Sequence, residues 1–335
     1  MSRPLSSLVV PVYRNAASIT ALVDTVGRIA GDIEEELETI FVIDGSPDDS
    51  RQRLLAALRG RSARARVVEL SRNFGSFAAI RTGMSLARGR NIAVMAADLQ
   101  EPPELVIEFL RRLATGEVDV VAGERASRDD RGDAASKLYW RLYRRFILKD
   151  VPPAGVDVFA CTAAVRDVVC SLESVHTSLV AQLFWVGFRR ELVSYDRLPS
   201  SGKSGWTLRR KFRYLSDSVF AFTDLPVRVL WTLGLAGMTL GVVVGGIVLG
   251  ARLAGAITVP GYAAITLIVL FFASLNLIGL GIIGSYVWRA YETVKGRPGA
   301  IVRDVIELPE DNGMPDVFVH ERALSERLPE DKRDA

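Results

Sequence analysis

The chain has 335 residues, 49% of them hydrophobic, with 42 Lys and Arg against 39 Asp and Glu for a net charge of +3. That length gives one large domain or two smaller ones, and so balanced a charge argues against a nucleic-acid binder. With only Cys161 and Cys170 and no clustered histidines, a disulfide framework and a zinc site are excluded, and a reducing cytosolic face is expected.

Leu8-Val9-Val10 is too brief an apolar run for a signal peptide. Apolar runs at Leu5–Val10, Thr39–Ile43, Val67–Leu70, Ile92–Ala97 and Val118–Ala122 read as strands. Ile19–Ile29, Arg51–Leu58, Phe77–Ala87 and Leu105–Leu113 carry helical spacing between them. Continuous apolarity in the strands predicts burial on both faces and a mainly parallel sheet. Ligands of such sheets sit beyond the carboxyl ends of the strands, where Asp44 and Asp98 both fall.

A basic connection follows over 124–152, carrying Arg125, Arg128, Arg131, Lys137, Arg141, Arg144, Arg145 and Lys149. Leu138, Trp140, Leu142, Tyr143, Phe146 and Ile147 within it predict an amphipathic helix that meets phosphate and lipid. The stretch 203–228 again mixes cations with Trp206, Phe212, Tyr214, Phe220 and Phe222, as a headgroup-layer segment does.

Val229–Ala251 is 23 residues without a charge, and a second uncharged run extends from Gly261 to Trp288. A bilayer span takes roughly 20 residues, so the pair predicts a transmembrane hairpin. Its outer loop holds only Arg252 while both flanks are rich in Lys and Arg, which places both termini in the cytoplasm. Gly237, Gly241 and Gly245, like Gly246 and Gly250, recur every four residues and permit either hairpin packing or homo-oligomerisation. The tail from Asp304 is acidic and polar and is expected to become disordered after one short apolar segment. Gly279-Leu280-Gly281-Ile282-Ile283-Gly284 matches a dinucleotide fingerprint, but it lies inside an apolar run instead of between a strand and a helix, and is rejected.

Asp98 is the strongest functional candidate. With Gln100 it offers hard oxygen ligands for a divalent cation on a diphosphate, and Pro102-Pro103 would end the turn and start the next helix. Taken alone, an acid after a strand is more often a helix cap than a ligand. Val10-Pro11-Val12-Tyr13, Phe41-Val42-Ile43-Asp44-Gly45-Ser46, Leu70-Ser71-Arg72-Asn73-Phe74-Gly75 and Ala97-Asp98-Leu99-Gln100-Glu101-Pro102-Pro103-Glu104 change those odds. Together they resemble the polyisoprenyl-phosphate glycosyltransferases of glycosyltransferase family 2, the dolichol-phosphate mannosyltransferase-like group of the bacterial two-span type, from residue 5 to residue 303.

The resemblance implies an α/β fold of GT-A type (Rossmann-like, mainly parallel sheet) over residues 1–200. It further implies an amphipathic juxtamembrane segment at 201–227, two transmembrane helices at 228–290 and a cytoplasmic tail at 291–335. It implies inverting transfer from a UDP- or GDP-sugar to polyprenyl phosphate at the cytoplasmic face of a bacterial inner membrane, assisted by Mg²⁺ or Mn²⁺. Carried over by position, Pro11, Tyr13, Asp44 and Ser46 would hold the nucleotide sugar and Asp98 and Gln100 the metal. Arg125, Arg128, Lys203 and Ser204 would meet acceptor phosphate, and Asp157 would position or deprotonate the acceptor.

This chain departs from the family pattern in several places. Ile43 and Ala96 stand where the family has acids, Asp157-Val158-Phe159 replaces Asp-Phe-Arg, and Arg14-Asn15 replaces Asn-Glu. Fewer carboxylates should weaken metal binding and alter donor preference. A non-catalytic membrane scaffold that keeps the nucleotide fold is the alternative. A processive polysaccharide synthase is the weaker rival, since Gly205-Trp206 lacks the Gln-x-x-Arg-Trp context.

Overall fold

The computed structural model describes residues 5–61, 64–125, 156, 158–172, 179–198, 225–254 and 262–308. Eight strands form one sheet: β1 (Leu5–Val12), β2 (Glu36–Ile43), β3 (Arg64–Leu70), β4 (Asn91–Val94), β5 (Val120–Arg125), β6 (Phe159–Thr162), β7 (Arg190–Tyr195) and β8 (Val302–Leu308). The helices are α1 (Ile19–Asp32), α2 (Ser50–Leu58), α3 (Ser76–Leu86), α4 (Pro103–Ala114), α5 (Ala163–Ser171), α6 (Leu179–Trp185), α7 (Leu225–Leu253) and α8 (Tyr262–Val294). The strand order is β7-β5-β6-β4-β1-β2-β3-β8. Parallel pairing joins β1 to β2 and β4, β2 to β3, and β5 to β7, whereas β6 and β8 run against their neighbours. The sheet is therefore mixed, with a parallel majority as expected.

The apolar runs form strands because helices cover both faces. Leu8, Val10, Phe41, Ile43 and Val67 pack under α1, α2 and α4 in a core that includes Leu22, Leu54 and Phe109. On the other face Gly83 brings α3 down onto β1 and β2; a Cβ there would come within 2.3 Å of Val9 Cγ1. Pro11 survives inside a central strand because β4 stops short of it. The carbonyl of Val9 accepts from the Met95 amide at 3.1 Å, and Pro11, two residues on, points the same way past the end of β4.

The tail corrects the expected boundaries. Residues 302–308, expected within a cytoplasmic tail, form the edge strand β8, paired antiparallel with β3 from Ala65↔Leu308 to Leu70↔Val302. Described residues up to 198 and from 298 onward belong to one compact unit, and those from 225 to 297 to another. The helical unit is thus inserted into the sheet domain between β7 and β8. Asp304 and Glu69 share Arg51, at 3.2 and 3.0 Å, which ties the returning strand to α2.

At the amino-terminal side of the sheet, Glu38 forms a buried ion pair with Arg66 at 2.6 Å. The Glu38 carboxylate also accepts from the Ser7 hydroxyl and from the Arg88 and Gly89 amides. Burial opposes ionisation of Glu38, but these hydrogen bonds and the guanidinium prevail and hold its pKa below 4.5.

In the helical unit, Gly237 on α7 meets Phe272 on α8 at 3.4 Å and Gly279 on α8 meets Leu230 on α7 at 3.2 Å, distances for an added Cβ. Both pairs fit antiparallel packing, so these two glycines serve the hairpin; Gly246 and Gly250 have no such neighbour. Among the described residues, no helix is long and apolar enough to cross a membrane. Many side chains inside α7 and α8 fall outside the described set, so this unit is established as a helix pair and not as a membrane span.

Glu38→Ala would strand the Arg66 charge. Urea unfolding of this variant should show a loss of about 3–5 kcal/mol at pH 7. Because the folded pKa is depressed, the native contribution is complete above 4.5 and fades as pH falls through the folded value. The difference between the two proteins should narrow in acid.

Candidate functional site

The direction of the chain reverses at one place in the sheet. From β1 it moves outward to β2 and β3, then returns to place β4 on the other flank of β1. The crevice beyond the carboxyl ends of β1 and β4 is therefore the topological switch point, the standard ligand position in an open α/β sheet. The loop after β1, Tyr13–Ser18, and the loop after β4, Met95–Pro102, are its walls. Ser18 closes it at the base: its hydroxyl lies 2.9 Å from the Ala97 carbonyl and 3.1 Å from that of Asn15.

Short polar side chains hold these loops. Asp44, directly after β2 and 2% exposed, accepts from the Phe74 amide at 2.7 Å, the Gly75 amide at 2.9 Å and Asn73 Nδ2 at 3.1 Å. The loop after β3 is thereby fixed against the end of β2. Gly45 makes that approach feasible, because a Cβ would lie 2.3 Å from the Arg72 carbonyl carbon and 2.4 Å from the Asn73 nitrogen. Ser46 accepts from the Arg14 amide at 2.8 Å and donates to Asp48 at 2.6 Å. Asp48 also takes the Ser50 hydroxyl at 2.7 Å and the Ala16 amide at 3.2 Å. Partial burial works against the Asp48 anion, yet the Ser46, Ser50 and Ala16 donors outweigh it and bring its pKa down to about 2. Its links are complete above the ordinary value of 3.8 and disappear only as the pH falls toward 2.

Asp98 lies exposed at the mouth of the crevice, with Oδ1 3.3 Å from the Gln100 amide nitrogen. Leu99 between them has a φ of 56°, a left-handed conformation that turns the chain between the two side chains. The loop is secured from outside by the Leu198 amide, which donates to the Gln100 carbonyl at 2.9 Å. Pro103 then starts α4 at its first position, as anticipated, with Glu104 in the first turn.

The structure brings Pro11, Tyr13, Asp44, Ser46, Asp98 and Gln100 to one edge of the sheet. Arg125 ends β5 at that same edge, beside Tyr195 of β7. Tyr13 presents a ring that is 40% exposed. Asp44 and Ser46, expected beside the nucleoside, hold loops in the described geometry. Ile43 is 2% exposed and its side chain belongs to the core. Asp157, Arg128, Lys203 and Ser204 lie outside the described residues, as do the aromatic-basic segments at 126–150 and 203–224. Sequence reasoning missed Asp48, Asn15, Ser18 and Asn73. The run Ser46-Pro47-Asp48-Asp49-Ser50 did carry the signal, since short polar side chains in series bond neighbouring backbone.

Asp98 and Gln100 together suit a hard cation that takes its other ligands from a bound phosphate. Among the described residues, no group of three His, Cys, Asp or Glu could hold a metal ion.

Fold and crevice define an α/β protein with an open crevice beyond the carboxyl ends of a mainly parallel sheet and one exposed acid at the switch point. Residues 7–170 match the model of glycosyl transferase family 2. An uncharacterized glycosyltransferase of Synechocystis sp., sll0501, is 30% identical over 304 residues, covering 89% of this chain and 95% of its own. The uncharacterized glycosyltransferase YkcC of Bacillus subtilis is 31% identical, with 90% and 95% covered. An undecaprenyl-phosphate 4-deoxy-4-formamido-L-arabinose transferase of Klebsiella pneumoniae is 29% identical, with 91% and 94% covered. The chain belongs to glycosyltransferase family 2 and is a glycosyltransferase.

Asp44→Ala removes the acceptor for two buried-side amides. Hydrogen exchange at Phe74 and Gly75 should accelerate by about tenfold or more, the equivalent of one lost buried acceptor, while β4 amides keep their protection. Unchanged exchange at both positions would mean that the carboxylate does not hold this loop.

Proposed function

We propose that this chain transfers a sugar, with inversion, from a nucleotide-sugar donor to a polyprenyl phosphate, UDP being favoured over GDP as the carrier and undecaprenyl phosphate as the acceptor. The observation that carries the reading is Asp98, exposed at the switch point beside Gln100 in a family 2 chain. A relative matched over 91% of this chain is named for transfer to undecaprenyl phosphate.

The reaction joins an acceptor phosphate oxygen to the anomeric carbon as the bond from that carbon to the nucleoside diphosphate breaks. A phosphate monoester has a second pKa of about 6, so at neutral pH it is already mostly dianionic and needs little base assistance. The difficult parts are departure of the diphosphate and the approach of two anions. Asp98 and Gln100 would hold Mg²⁺ or Mn²⁺ on the donor diphosphate, and the cation would neutralise the charge of the leaving group. Arg125, with Arg128, Lys203 and Ser204, would draw in the acceptor phosphate. Asp157 would position the acceptor and is not required as a base.

The helical unit supports a lipid acceptor. Ile247, Ile265, Phe271, Leu277 and Leu280 of α7 and α8 are all more than 60% exposed, and helices apolar on every side occur in cores or in bilayers. At the end of α8, Lys295 lies 4.1 Å from the Tyr291 ring centroid and 5.4 Å from that of Trp288, a grouping suited to the headgroup interface. In this reading α7 and α8 span a bacterial inner membrane as a hairpin, with both termini on the cytoplasmic face. The chain leaves the sheet after β7 and returns at Ile301, whose carbonyl accepts from the Ser71 amide at 2.9 Å. Both points lie on the carboxyl side of the sheet, where the crevice opens.

Membranes bearing the protein, incubated with undecaprenyl phosphate and labelled UDP- or GDP-sugars, should give label in the lipid extract. Asp98→Ala should lower transfer by about a hundredfold or more, whereas Asp157→Asn should leave a measurable rate. Equal loss in both variants with donor binding intact would make Asp157 a true base. No labelled lipid with any donor would refute the polyprenyl acceptor.

A further inference from the structure

Only two non-glycine residues among the described ones have a left-handed backbone, Arg14 with φ 57° and Leu99 with φ 56°. They sit on the loops that follow the adjacent strands β1 and β4, the two walls of the switch-point crevice. Asparagine tolerates this conformation best among the larger residues, and arginine gains nothing from it. The loop nevertheless holds Arg14 there, through the Ser46 hydroxyl on its amide at 2.8 Å and through Asn15 Oδ1 on the Tyr13 amide at 2.9 Å. Backbone strain of this kind concentrates where a side chain must be aimed.

The Arg14 guanidinium is exposed, 5.5 Å from the Tyr13 ring centroid, and has no ion pair among the described residues. Arg51, Arg66, Arg88, Arg112 and Arg189 of the same unit all have carboxylate partners. Across the crevice the loop after β4 carries one exposed acid, since Ala96 is neutral and Glu101 is buried. A diphosphate approaching two carboxylates needs a divalent cation to offset their repulsion. Approaching one carboxylate and a guanidinium fork, it has a fixed cation already in place.

We propose that Arg14 is a donor-binding residue that pairs with the diphosphate and lets this chain bind a nucleoside diphosphate without a divalent metal. The proposal rests on the nucleotide-sugar reading above and adds to it a residue and donor binding that needs no metal. Calorimetric titration of the full-length protein in detergent with UDP and with GDP, once in EDTA and once in MnCl₂, tests it. The wild-type protein should bind one of them in EDTA. Arg14→Asn should bind at least about tenfold more weakly in EDTA, lose less in MnCl₂, and unfold at the same or a higher temperature. Arg14→Lys should fall between them, since it keeps the charge but not the fork. Equal affinities of wild type and Arg14→Asn in EDTA, or wild-type binding only with MnCl₂, would overturn the role of Arg14 and leave the donor reading intact. Failure of the wild type to bind either nucleotide, even with MnCl₂, would overturn both.

Discussion

The buried carboxylate of Asp44 is the contact on which the crevice depends. Three donors from one loop converge on two oxygens, and the adjacent Gly45 lets that loop pass at a distance that no Cβ would allow. Through Ser46 and Asp48 the same segment holds the loop after β1. Through Ser18 that loop reaches Ala97 and the Asp98 turn. Four consecutive parallel strands thus have their exits connected by side chains, and the reactive groups stand on a preset frame.

This arrangement separates holding from contacting. Asp44, Ser46 and Asp48 give their oxygens to protein donors, while Tyr13, Arg14 and Asp98 present exposed groups at the crevice. A family motif read from sequence alone does not distinguish the two kinds of residue, because here both are polar and both lie next to strand ends. Gln100 takes part in the holding through its backbone carbonyl, which accepts from the Leu198 amide.

Much of this was legible in the sequence. The first four strands and first four helices follow from apolar runs and helical spacing, since β1 to β4 are buried on both faces and α1 and α4 have one apolar side. Asp98 and Asp44 were placed at strand ends for the same reason. The later elements were not legible. β6 has only four residues, and β7, Arg-Glu-Leu-Val-Ser-Tyr, is a half-exposed edge strand. In β8, Val-Arg-Asp-Val-Ile-Glu-Leu, the charges suggested a solvated tail, and pairing with β3 more than 230 residues away leaves no local trace. Ile43 counted as a missing acid in the sequence, and only packing shows that its side chain lies in the core.

The return of β8 gives the helix pair a status unlike that of a terminal anchor. A protein cut after β7 to obtain a catalytic fragment without α7 and α8 would also lose the strand beside β3. Val67, Val68 and Leu70 would then sit on a bare rim with unpaired amides and carbonyls, an invitation to intermolecular strand addition. Replacing 206–297 by a linker long enough to cross from the β7 edge of the sheet to the β8 edge, and keeping 298–308, retains the strand that pairs with β3.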